Sequence, residues 1–151
     1  MTIEVQTRRP VPEEILALSP MTEPSYVDVF TMDRGLPGRA PEQWARAMFE
    51  DVGGRGAQLI WRVLLGMRLR AAPDRVAGWQ IAGRGGDWVR IEAKSWFLTG
   101  HLVVQSDDEH VSLATFVRYD RPWAALVWRP LSTQHRRLSP GLLREAYAKL
   151  R

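Results

Sequence analysis

The chain has no cysteine. That excludes a disulfide framework, thiol catalysis and thiolate metal sites, and it suits a reducing compartment. Long apolar runs are missing too. No stretch approaches the roughly 18 to 20 apolar residues that a membrane-spanning helix needs. The opening stretch MTIEVQTRRPVPEEILALSPMTEPS is interrupted by acids and lacks a long apolar centre, so it does not read as a secretory signal. The expectation is a soluble, cytoplasmic protein. Histidine is scarce, and His101, His110 and His135 show no H-x-x-x-H or H-E-x-x-H spacing. No metal site is expected, and no cofactor. A G-x-S-x-G elbow is absent. The clusters GGRG at Gly53–Gly56 and GRGG at Gly83–Gly86 lack P-loop spacing and read as turns.

What is present describes an ordinary globular chain. The 151 residues are 45% hydrophobic and 25% charged, which favours one folded domain over disorder. A chain of this size buries enough surface to fold without staples. The net charge of +4 is unevenly placed. From Arg118 to Arg151 there are eight basic residues and two acids, so the rest of the chain is slightly acidic. No nucleic-acid motif accompanies the basic segment, and its apolar run WAALVW is too short for a stable membrane anchor. Seven tryptophans are many for this length, and they serve either as core or as the wall of an apolar pocket.

Residues 1–24 hold four prolines and read as a loosely ordered arm, ahead of a single domain over 25–151. YVDVFTM reads as the first strand. PEQWARAMFEDV and AQLIWRVLLGMRLR carry helical spacing and predict two shorter helices separated by GGRG. From Val76 the period becomes two, through VAGWQIAG, DWVRIEAKSW, GHLVVQS and HVSLATFVRY. The short polar DDE between the last two predicts a hairpin. In the last strand Val111, Leu113, Thr115, Val117 and Tyr119 share one face, and His110, Ser112, Ala114, Phe116 and Arg118 share the other. After Tyr119 the period is helical again. Asp120 and Pro122 suit a helix start, with Trp123, Leu126, Val127 and Leu131 as its apolar stripe. Pro130 should kink or split this helix, and Ser139–Pro140 should restart it. The class is α+β: an antiparallel sheet with helices gathered against it.

The words WRVLLGMRLR and VRYDRPWAALVWRPLSTQHRRLSPGLLREA, in this order, resemble the bacterial DUF2867 family of unknown function, over about Tyr26 to Leu150. In its short members a strand ending in Arg is followed by an apolar helix, an Arg-Pro, a nearby His and a P-x-L-L-R ending. Here these are Arg118, Arg129–Pro130, His135 and Pro140 to Arg144. His135 stands farther from Pro130 than in those members, so no role is carried over to it. The family is similar to the START/polyketide-cyclase (SRPBCC) superfamily. That similarity implies a helix-grip fold, with the sheet curled around the long C-terminal helix and an apolar cavity between them. It implies no catalytic residue set.

On this reading the cavity candidates are Trp88, Trp96, Phe116 and Trp123, with His101 and Arg118, and Arg90 beside them, as polar groups that orient a ligand. Three functions follow as expectations. The first is binding of a small apolar ligand, lipid or polyketide-like. The second is a protein-interaction module or homodimer. The third is a cyclase- or dehydratase-like enzyme using His101 and Arg118 as acid–base groups. Nucleic acid and stable membrane insertion are not expected.

Overall fold

A computed structural model describes residues 3–151. The runs with a period of two form the strands. They are β1 (Val5–Thr7), β2 (Tyr26–Met32), β3 (Arg75–Val76), β4 (Trp79–Arg84), β5 (Trp88–Lys94), β6 (Leu98–Ser106) and β7 (Val111–Tyr119). They make one seven-stranded antiparallel sheet in the order β1-β2-β7-β6-β5-β4-β3. The β6–β7 hairpin turns over the predicted polar residues. Asp107 accepts the backbone N–H groups of Glu109 and His110 at 2.7 Å each, and these bonds hold its carboxyl below the usual carboxylate range.

Both faces of the sheet are covered. On the front face Phe30, Ile91, Leu102, Val104 and Leu113 pack with Trp44, Met48 and Leu143 from the helices. On the rear face Val29, Val103, Ala114 and Phe116 form a second, smaller core around Ile15. Strand alternation separates the two sets, because successive side chains point to opposite faces.

Ile15 comes from the segment expected to be a loose arm. That expectation is corrected for the described residues 3–24. β1 pairs with β2, and α1 (Glu13–Leu16) lays Ile15 on the back of the sheet, with Val11, Leu18 and Met21 half-buried around it. The cause is the apolar back face of β2, β6 and β7, which needs a cover. Proline content alone carries no information about that face.

The helical segments cover the front. α2 (Pro41–Arg46) runs into a π-helical stretch, Ala47–Val52, then α3 (Gly54–Leu59) and a second π-helical stretch, Ile60–Leu64. The second predicted helix stops short of its expected end at Arg70, where Gly66 adopts a left-handed φ of +62°. Helical spacing in this segment gives an apolar stripe of Leu59, Ile60, Val63, Leu64 and Met67, and that stripe is not the buried face. Leu59 and Val63 are exposed, while Leu65 is buried and Trp61 half-buried. The wider π turn changes which side chains share a face.

α4 (Ala124–Leu150) spans 27 residues and runs uninterrupted through Pro130 and Pro140. The predicted split and restart do not occur. Ser139 is buried inside the helix, where its hydroxyl donates to the His135 carbonyl, and Ser132 donates likewise to Arg129. Burial of Trp128, Leu143 and Ala146 against the sheet and α2 outweighs the backbone bonds lost at the prolines. Pro130 itself is exposed. Pro130→Ala is therefore expected to raise stability by about 1 to 3 kcal/mol, since no packing is lost and a helical N–H is restored. Chemical denaturation measures it, and an unchanged or lowered midpoint refutes it. Among the described residues no helix is long and apolar enough to cross a membrane.

Candidate functional site

Between α4, the π-helical stretches and the front of the sheet lies a cavity of about 430 Å³. Phe49, Ile60 and Trp61 wall it from the arch of short helices, and Leu131 and Leu142 from α4. The sheet supplies the floor, where Met67 and the Trp79 ring lie over Gly100. A Cβ at Gly100 would come within 3.1 Å of Met67 and 3.2 Å of Trp79, so the glycine lets these groups sit flat on β6. Trp61 meets Trp79 edge to face at 5.2 Å.

One side of this apolar wall is polar. Thr115, Trp128 and His135 all line the cavity. Behind His135 stands Asp28, whose side chain is 2% exposed, with its Oδ2 at 3.2 Å from His135 Nε2. The distance is that of a hydrogen bond but the angle is not, so His135 Nε2 has no aligned partner. Tyr26 donates its hydroxyl to the same carboxylate oxygen, and Arg136 reaches the Tyr26 hydroxyl at 3.4 Å. Burial, and then the adjacent Asp28 carboxylate, push the Tyr26 phenol well above its ordinary range. Trp128 packs against both partners, at 5.3 Å from the Tyr26 ring and 5.7 Å from the His135 ring. Asp28 Oδ1, Thr115 Oγ1 and Trp128 Nε1 are buried without a hydrogen-bond partner among the described residues. Unpaired buried polar atoms are costly, and these lie beside the cavity wall.

The sequence-derived candidates are dispersed elsewhere. Phe116 is buried in the small core behind the sheet. Arg118 shares that rear face but turns to Asp120, at 2.9 Å, and to Thr99. Trp88 is half-buried at the far end of β5, with the Arg90 guanidinium 5.7 Å above its ring. Trp96 and Trp123 are 60% and 38% exposed and meet at 5.0 Å beside Phe97, outside the cavity. His101 touches the cavity, but strand parity puts its side chain on the rear face, opposite Phe116 on β7. There its Nδ1 lies 2.7 Å from the Ser19 hydroxyl, and its Nε2 is 3.6 Å from Glu92. Arg90 binds Glu92 at 2.7 Å and the Leu18 carbonyl at 2.8 Å. His101 and Arg90 thus fasten the N-terminal segment to the sheet.

Burial holds the His101 imidazole below its ordinary value. Glu92 opposes that shift, while Arg90 and Arg118 add to it. As pH falls below the ordinary imidazole value of about 6.5, the unfolded chain takes up a proton before the folded one does. The stability contributed by neutral His101 is therefore complete above that pH and is lost as pH drops through the folded value. Denaturation curves between pH 7.5 and 5 should show a fall that shrinks in His101→Gln. An identical pH slope in both proteins would refute this role.

Sequence reasoning misses the polar side of the cavity for a simple reason. Asp28 reads as a charged residue in an apolar strand and His135 as a polar residue on a helix. Nothing in their separation along the chain announces that they meet. No family model matches the chain, and no curated protein does. A crystal structure of PA94, a protein of unknown function from Pseudomonas aeruginosa described as a putative regulator, is similar over 89% of this chain and 81% of its own. Its identity is 13% and its TM-score 0.31, a likeness too slight to carry any argument.

Proposed function

We propose that the chain binds a small, largely apolar molecule, lipid or polyketide-like, in the cavity between α4 and the sheet. The observation that carries this is the cavity itself: about 430 Å³, walled mainly by aromatic and aliphatic side chains, with Thr115, Gln134, His135, Arg137 and Glu145 as polar members of its lining. That volume and that division of lining are usual for small-molecule sites. An antiparallel sheet packed on a long C-terminal helix, with a cavity between them, is also the arrangement that a helix-grip reading implies. The enzyme reading built on His101 and Arg118 gains no support, because their side chains stand behind the sheet.

Native mass spectrometry of the purified chain, followed by thermal shift with fatty acids and polycyclic aromatic alcohols, tests the proposal. A ligand at about 100 times its Kd adds about 2.7 kcal/mol, hence a Tm rise of roughly 5 to 10 °C. No retained mass and no shift across the panel would overturn it. A second reading, self-association, is favoured by the exposed Trp96, Trp123 and Leu126, the last 76% exposed. Sedimentation that stays monomeric at all concentrations would dismiss it.

A further inference from the structure

We infer that the Asp28–His135 pair makes the cavity selective for an apolar molecule carrying a hydroxyl group, with His135 as the acceptor. This rests on the ligand-binding reading above and specifies the ligand's polar group.

A carboxylate can only accept hydrogen bonds, and Asp28 Oδ2 stands 3.2 Å from His135 Nε2. A bare Nε2 lone pair facing that negative charge at 3.2 Å would be repelled, so in neutral His135 the proton belongs on Nε2. The other ring nitrogen, Nδ1, is left as a bare acceptor, and no hydrogen bond reaches it among the described residues. Tyr26 cannot compete for it, since its hydroxyl is committed to Asp28. His135 lines the cavity, whereas Asp28 lies behind it and acts as a positioning residue. A ligand that reaches Nδ1 must bring a donor. A hydroxyl does so. A pure hydrocarbon leaves Nδ1 unpaired, and an ether offers no donor.

The probes are naphthalene, 2-naphthol and 2-methoxynaphthalene, with binding measured by titration calorimetry at pH 8. The wild-type chain should bind 2-naphthol about tenfold more tightly than 2-methoxynaphthalene. His135→Leu should erase that preference while retaining naphthalene. In Asp28→Asn the negative charge facing Nε2 is gone, the ring proton is no longer held there, and the preference should fall. A merely structural role for Asp28 would leave the preference unchanged. Equal wild-type binding of 2-naphthol and 2-methoxynaphthalene overturns the inference and leaves the cavity reading intact. Binding of none of the three overturns the inference, and if no mass is retained and no shift is seen across the fatty-acid and aromatic-alcohol panel it overturns the cavity reading as well. Nitrogen-15 spectra of the wild-type histidine side chains give a check that needs no variant: a protonated Nε2 and bare Nδ1 at His135 support the inference, and the opposite tautomer overturns it.

Discussion

Removing residues 3–21 is expected to abolish cooperative folding. The segment covers Val29, Val103, Ala114 and Phe116 with Ile15, supplies β1 to the sheet edge, and carries Ser19 against His101. Its loss would expose the second core and leave the buried imidazole without its hydroxyl partner. The point variant Ile15→Ala isolates the packing contribution. Ile15 is 4% exposed, so about 2 to 5 kcal/mol should be lost. The neighbouring Leu16 is 39% exposed, and Leu16→Ala should change stability by no more than about 0.5 kcal/mol. Urea denaturation of the two variants and circular dichroism of the truncated chain decide it. A truncated chain that unfolds cooperatively at the full-length midpoint would show that the segment is an appendage.

Trp128→Ala should cost about 3 to 5 kcal/mol. Trp128 is buried, joins α4 to β2 through Tyr26, and shields the Asp28–His135 pair from solvent. Truncation would enlarge the cavity and remove the ring that holds His135 in place. Trp128→Phe separates the causes. It keeps an aromatic ring against Tyr26 and deletes the indole N–H, which has no partner among the described residues. Its cost should be well below that of alanine, since part of the lost packing is offset by relief of an unpaired donor. Equal losses in the two variants, measured by thermal or chemical unfolding, would contradict this account.

The strands are legible because alternation survives in the chain itself. VSLATFVRY assigns its residues to two faces correctly, and the Asp107–His110 turn follows from residue type. What alternation does not state is which face meets the helices. Sequence reasoning places Phe116 and Arg118 in the cavity, and they belong behind the sheet, while Thr115, one position from Phe116, lines the cavity. Both faces of β7 are rich in apolar residues because both are covered, so hydrophobicity does not discriminate between them. The tryptophans divide in the same manner. Trp61, Trp79 and Trp128 line the cavity, while Trp96 and Trp123 stand at the surface. A large ring is equally suited to either place.

By itself the sequence determined an α+β chain without thiol chemistry, with strands, hairpin and helical segments near their observed positions, because these depend on residue period and local turn chemistry. Only the tertiary structure decided that residues 3–24 belong to the fold, that α4 continues through two prolines, and that Asp28 meets His135. Each of these depends on surfaces brought together from distant parts of the chain. Burial against such a surface outweighs local preferences for a loose arm or a broken helix, and no local pattern records it.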